Sequence, residues 1–310
     1  MPYSARMQKN HLYSVFFAPR GNVRMVDLGM QIAQQYLSPF DRLIGLVGSA
    51  GSGKSMLIKG MFPGLELTND DEGVNVRPLP LLNIDDTGFY TAHTYHIDVR
   101  FEMAFTQLHL IADAVDQALA KGKRVVVEHF DLLYPALKKN AHLLIGIGEE
   151  IIITRPTIFG PVPAELANIV FSSIEYRRKA HSAEDVCEFC LQTQEIGEHQ
   201  MTHSDVRHGF ILSFEDEPKI DFKALNVDMC KLIAADVPIS YYDDSHILIG
   251  DSLHHCTGPR MHVTSTGQLG KVSLVPALLR EPITENYLLV GVIGELTEDH
   301  TDMINSIKIM

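Results

Sequence analysis

The chain has 310 residues, 45% of them hydrophobic and 21% charged, which is room for two ordinary domains of globular composition. A formal net charge of −13 argues against a broad basic surface for tracking nucleic acid. No apolar run approaches the roughly 18 residues of a membrane span. Four cysteines are too few for a disulfide scaffold at this length, and the N-terminus lacks a signal-peptide pattern, so a soluble protein of the reducing cytoplasm is expected.

Residues 23–37 place apolar side chains at helical spacing before the turn signal Ser38-Pro39. Residues 43–47 read as a short buried strand that runs straight into a glycine loop, and residues 55–61 read as a helix closed by Pro63-Gly64. An amphipathic helix is predicted over 101–121, ending at Gly122, with buried strands over 124–128 and 150–154. Strands alternating with helices predict an α/β domain, a parallel sheet with helices on both faces. The pattern fades near 180, and from about 205 short alternating stretches take over, at 209–214, 246–249 and 271–275, around one helix at 221–235. A smaller α+β domain is expected there. The division predicted is 1–180, including an N-terminal helical extension, and 181–310.

The run Gly48-Ser49-Ala50-Gly51-Ser52-Gly53-Lys54-Ser55 fits a P-loop, because a strand precedes it and a helix follows. Glycines let backbone N–H groups turn inward around phosphates, and the helix N-terminus adds positive potential. Lys54 would reach the β- and γ-phosphates and the Ser55 hydroxyl would ligate Mg²⁺, so ATP or another NTP with Mg²⁺ is the expected cofactor. Two places offer the carboxylate such a site needs. Asp85-Asp86 follow an apolar run, and Glu128 ends the 124–128 strand with Asp131 three residues on. Arg155, Arg177 and Arg178 are candidate charges for a transferring phosphoryl group, the last two at the place of a kinase lid.

Asp86 followed by Thr87-Gly88-Phe89-Tyr90 resembles the Asp-Asp-Phe-Tyr stretch of uridine-kinase-like P-loop kinases, although Thr-Gly intervenes. That resemblance implies a general base at Asp86, beside Lys54 and Glu128 as the other catalytic candidates.

From residue 180 onward four features stand in one order: His181-Ser182-Ala183-Glu184-Asp185, the Gly209-Phe210 strand, the 221–235 helix leading to Val237-Pro238-Ile239, and Cys256-Thr257-Gly258-Pro259-Arg260-Met261-His262-Val263 before Thr266-Gly267. Together they resemble the second additional, editing-type domain of threonyl- and alanyl-tRNA synthetases, over about 130 residues. The resemblance implies a ligand set of His181, Asp185, Cys256 and His262, with Zn²⁺ as the ion. Asp185 stands where that family has a histidine, and Arg260-Met261 is an insertion before His262. Carboxylate oxygen remains an acceptable zinc ligand. Two other sets stay open: Cys187-x-x-Cys190 with His199 and His203, whose spacer is short for a zinc finger, and His254-His255 replacing one member of the first set.

Three functions follow as expectations. One is an NTPase or small-molecule kinase whose second domain binds the acceptor or an aminoacyl-type ligand. Another is a nucleotide-gated regulatory module with a silent second domain. The third is an aminoacyl-tRNA deacylase with an ATPase helper, disfavoured by the net charge because tRNA binding draws on phosphate contacts.

Overall fold

The structure is a computed structural model and describes residues 13–65, 67, 93–197 and 201–295. Two compact units emerge: residues 1–16 with 23–172, and residues 17–22 with 173–310. The division falls at 172 rather than at 180, inside one continuous helix, and the short tract 17–22 goes with the second unit.

In the first unit, strands β1 (Tyr13–Phe17), β2 (Leu43–Gly48), β3 (Thr94–Asp98), β4 (Arg124–Glu128), β5 (Leu143–Ile147) and β6 (Glu150–Thr154) form one sheet in the order β1-β6-β5-β2-β4-β3. The pairs β2–β4, β2–β5 and β3–β4 are parallel. The pair β5–β6 is antiparallel, so the sheet is mixed and not the wholly parallel one expected. Only Gly148 and Glu149 separate these two strands, and a two-residue link permits nothing but a hairpin.

Helices α1 (Asn22–Tyr36), α2 (Lys54–Met61), α3 (Val99–Glu102), α4 (Leu108–Ala120) and α5 (Phe130–Leu137) accompany the sheet. The single helix expected over 101–121 is two. Asp98 caps α3 by accepting from the Phe101 N–H, and the chain turns at 103–106, where Phe105 and Thr106 donate to the Glu102 carbonyl. Gln107 is extended before α4 begins, which interrupts the helical ladder. Every residue of β2 is buried, as a central strand requires. Phe130, Val115, Ile111 and Leu133 pack against Leu43, Val47, Val125 and Val127 on one side. Gly60 lets α2 lie against α1, since a Cβ there would meet the Val26 carbonyl oxygen at 2.0 Å.

The division runs through α6 (Pro163–Gln192), a helix of 30 residues. In the second unit, β7 (Thr202–Val206), β8 (Gly209–Phe214), β12 (Val272–Leu274), β13 (Leu279–Arg280) and β14 (Tyr287–Ile293) form an antiparallel sheet in the order β12-β14-β8-β7, with β13 beside β14. Strands β9 (Ile239–Asp243), β10 (His246–Ile249) and β11 (Ser252–His255) make a separate antiparallel sheet. Helix α7 (Phe222–Ala234) starts at Asp221, whose side chain accepts from the N–H groups of Lys223 and Ala224.

The second half of α6 carries two buried stripes. Ala183, Val186, Cys187, Cys190 and Leu191 enter the apolar core with Phe210, Leu212, Leu225 and Leu289. His181, Glu184, Asp185 and Glu188 recur at the same i, i+3, i+4, i+7 spacing and are equally buried. One face of the helix builds the core, and a neighbouring face builds a polar centre. Among the described residues, no helix is long and apolar enough to cross a membrane.

Candidate functional sites

In the first unit the C-terminal ends of β2, β3 and β4 bring one group together. The glycine loop leaves β2 and turns at Gly51 and Gly53, both at positive φ, with Gly53 at 92° heading α2. Lys54, only 5% exposed, donates to the carbonyl oxygens of Ser49 at 2.9 Å and Gly48 at 3.2 Å, and lies 3.7 Å from Glu128. The Ser55 hydroxyl donates to Glu128 Oε1 at 3.0 Å. Glu128 also meets His96 Nε2 at 3.2 Å, and sits beside Asp98 in the β3–β4 register.

Burial would raise the Glu128 carboxyl, but His96, Lys54 and Ser55 together hold it below its ordinary range. Burial lowers the Lys54 ammonium against the pull of Glu128 and Asp98. His129, held in the left-handed region at φ 57°, is lowered to about 4 by burial and by Lys54, so it is neutral at pH 7. Asp98, Glu128 and His129 place ligand atoms within 4.8 Å of one another, a set able to hold a cation. Asp98 was missed in the sequence because residues 94–98 were not read as a strand and so its end drew no notice, and His129, next to Glu128, belonged to no motif. Asp131 is less buried, and burial raises its carboxyl.

Asp85 and Asp86 lie outside the described residues, so the general-base assignment there has no geometry. Arg155 is not in the glycine-loop group. Its guanidinium grips both carboxylate oxygens of Asp41, at 2.6 and 2.8 Å, and also donates to the carbonyls of Tyr36 and His142, fixing the loop before β2. Arg177 is buried in the second unit, where it donates to the Pro19 carbonyl, which does not suit a mobile lid. Arg178 follows it on α6.

In the second unit His181, Asp185, Cys256 and His262 converge, each offering a ligand atom within 4.8 Å of the others. The Cys256 sulfur lies 3.3 Å from His181 Nε2 and 3.7 Å from His262 Nε2. Two ligands on one zinc at tetrahedral angles, with Zn–S about 2.3 Å and Zn–N about 2.0–2.1 Å, would stand about 3.6 Å apart, so the donor set fits such an ion. Asp185, in the place of the expected histidine, hydrogen-bonds His262 Nε2. Arg260-Met261, expected as an insertion, lie in a turn closed by Met261 N–H to the Gly258 carbonyl at 3.0 Å, with Arg260 outward over Tyr241 and Met261 buried.

Burial lowers His181, which favours the neutral form a metal ligand needs. Burial, with Asp185 close by, pushes the Cys256 thiol far above its ordinary value. For Glu184, burial pulls upward, but Arg20 and the bonds from His181 and His203 bring it down to about 2. Arg20 was missed in the sequence. Its Nε donates to Asp205 at 2.6 Å and its Nη2 to the Gly209 carbonyl at 3.0 Å, and Nη1 lies 3.8 Å from Glu184.

The zinc-finger alternative loses its members. Cys187 and Cys190 are in the apolar core, His203 meets Glu184 at 3.2 Å, and His199 lies outside the described residues. Of the pair on β11, His255 points outward and His254 inward, by strand alternation. His254 does not join the four, but forms a separate set with Asp185 and Glu188. Compared with protein-family models, the chain matches none, and no curated protein matches it.

Proposed function

We propose that the first unit binds a nucleoside triphosphate with Mg²⁺ as an NTPase or a kinase of a small acceptor, and that the second unit holds Zn²⁺ in an editing-like pocket for an aminoacyl-type ligand. The observation that carries the first part is the meeting of Lys54, Ser55 and Glu128 where a strand passes through a glycine loop into a helix. In this arrangement Lys54 would exchange the Gly48 and Ser49 carbonyls for phosphate oxygens. Ser55 and Glu128 would take the cation, directly or through water. Asp98 and Glu128 supply the oxygen-rich donor set that Mg²⁺ prefers. Asp98 would also accept a proton from an attacking hydroxyl or water, the role that Asp86 was expected to fill.

The second part rests on the four convergent ligands and on the tetrahedral spacing around the Cys256 sulfur. A bound Zn²⁺ would take Cys256 as thiolate, and its charge would reverse the upward pull of burial on that thiol. Titration calorimetry with Mg-ATP, followed by phosphate-release assays with and without hydroxyl acceptors, tests the first part. Absence of measurable nucleotide binding ends it, whereas binding without turnover leaves a nucleotide-gated module. Zinc content of protein purified without chelator tests the second part; no zinc above trace would end it.

A further inference from the structure

We propose that Asp185, Glu188 and His254 hold a second divalent cation beside the His181–Asp185–Cys256–His262 set, with the Asp185 carboxylate shared between the two. The three side chains offer ligand atoms within 4.8 Å of one another, and His254 Nε2 lies 3.8 Å from Glu188 Oε2. Metal–ligand bonds of about 2.0–2.2 Å allow donors on opposite sides of one ion to stand about 4.4 Å apart, so little contraction is needed. All three are at most 3% exposed.

The two sets are built from the same elements. Asp185 and Glu188 are one turn apart on α6; His254 is on β11, and Cys256 is the residue just past its end. The His254 imidazole and the Cys256 thiol are both buried, and each offers a ligand atom within 4.8 Å of one on Asp185. A carboxylate that belongs to both sets is the usual bridge in two-metal sites, where the ions sit roughly 3.5–4 Å apart.

The surroundings are acidic. Four carboxylates, those of Glu184, Asp185, Glu188 and Asp205, share this network with the guanidinium of Arg20. The second set has two carboxylates and an imidazole and no sulfur. It therefore suits a harder ion than the thiolate set does, and Mn²⁺ is the suitable probe.

The second set stands on its own three ligands; only the sharing through Asp185 rests on the zinc reading given above. The test uses the full chain, stripped with chelator and dialysed against Zn²⁺ and Mn²⁺ together, with metal counted by elemental analysis and folding checked by circular dichroism. Wild type should retain one equivalent of each ion. His254→Gln and Glu188→Gln should lose Mn²⁺ and keep Zn²⁺, and Cys256→Ser should do the reverse. With cobalt in both sites, magnetic coupling between the ions should be present in wild type and absent in His254→Gln. A wild type that saturates at one equivalent, lost in Cys256→Ser, overturns the second site and leaves the zinc reading intact. Manganese uptake without zinc has the opposite meaning. The wild-type count decides the matter even where a buried substitution fails to fold.

Discussion

Replacing Lys54 by alanine is the sharpest test of the first unit. The ammonium is nearly enclosed, held by two carbonyl oxygens at 2.9 and 3.2 Å and facing Glu128 at 3.7 Å. Binding would move it from these groups to phosphate oxygens, so what is lost is the difference between the two sets of partners. A hydrogen bond from a charged donor contributes about 1.5–3 kcal/mol net. One or two such bonds, less the carbonyl contacts given up, predict a loss of ~2–3 kcal/mol, or about 30- to 150-fold in Kd. Isothermal titration with Mg-ATP on both proteins measures it. Alanine favours helix at this first-turn position, and Glu128 keeps His96 and Ser55, so the urea midpoint should change little by comparison. Affinities within threefold of each other, in a folded variant, would refute the assignment of Lys54 to the phosphates.

Ser55→Ala should raise the Mg²⁺ concentration needed for half-maximal ATP binding more than it weakens binding at saturating Mg²⁺, read by calorimetry over a Mg²⁺ series. Asp98→Asn should lower turnover at least tenfold with ATP affinity nearly unchanged if its carboxylate accepts the proton, and parallel losses in both would point to metal holding instead. Arg20→Leu removes the guanidinium that pairs with Glu184 and Asp205 and should cost the second unit about 3–5 kcal/mol in urea unfolding. Glu102 gives a pH signature. Burial, with Asp98 nearby, raises its carboxyl from 4.5 to about 7, so the stability it contributes is full below pH 4.5 and is lost as pH rises through 7. Glu102→Gln should shrink the fall in urea midpoint between pH 5 and pH 8.

Local chemistry was enough to place the glycine loop, its flanking strand and helix, Glu128 at a strand end, and the α7 and β8 segments. In each case the signal is contiguous: an apolar run bounded by glycine or proline, or helical spacing with a cap. The break at 103–107 was hidden because an apolar spacing continued across it, while the Asp98 cap and an extended Gln107 stopped the hydrogen-bond ladder. The residues of the second unit's polar centre divide along the same line. His181, Asp185, Cys256 and His262 could be chosen from an ordered set of motifs, whereas nothing in the sequence singled out Glu184 or Glu188 as members of the site. The sequence by itself determined several of the strands and helices, the glycine loop among them, and which residues carry reactive groups. Only the tertiary structure decided that β6 runs antiparallel, that Asp98 sits beside Glu128, that Arg20 reaches across 164 residues to Glu184, and that His254 faces Asp185 and Glu188. Burial and charge pairing depend on which distant segments pack together, and no spacing along the chain encodes that distance.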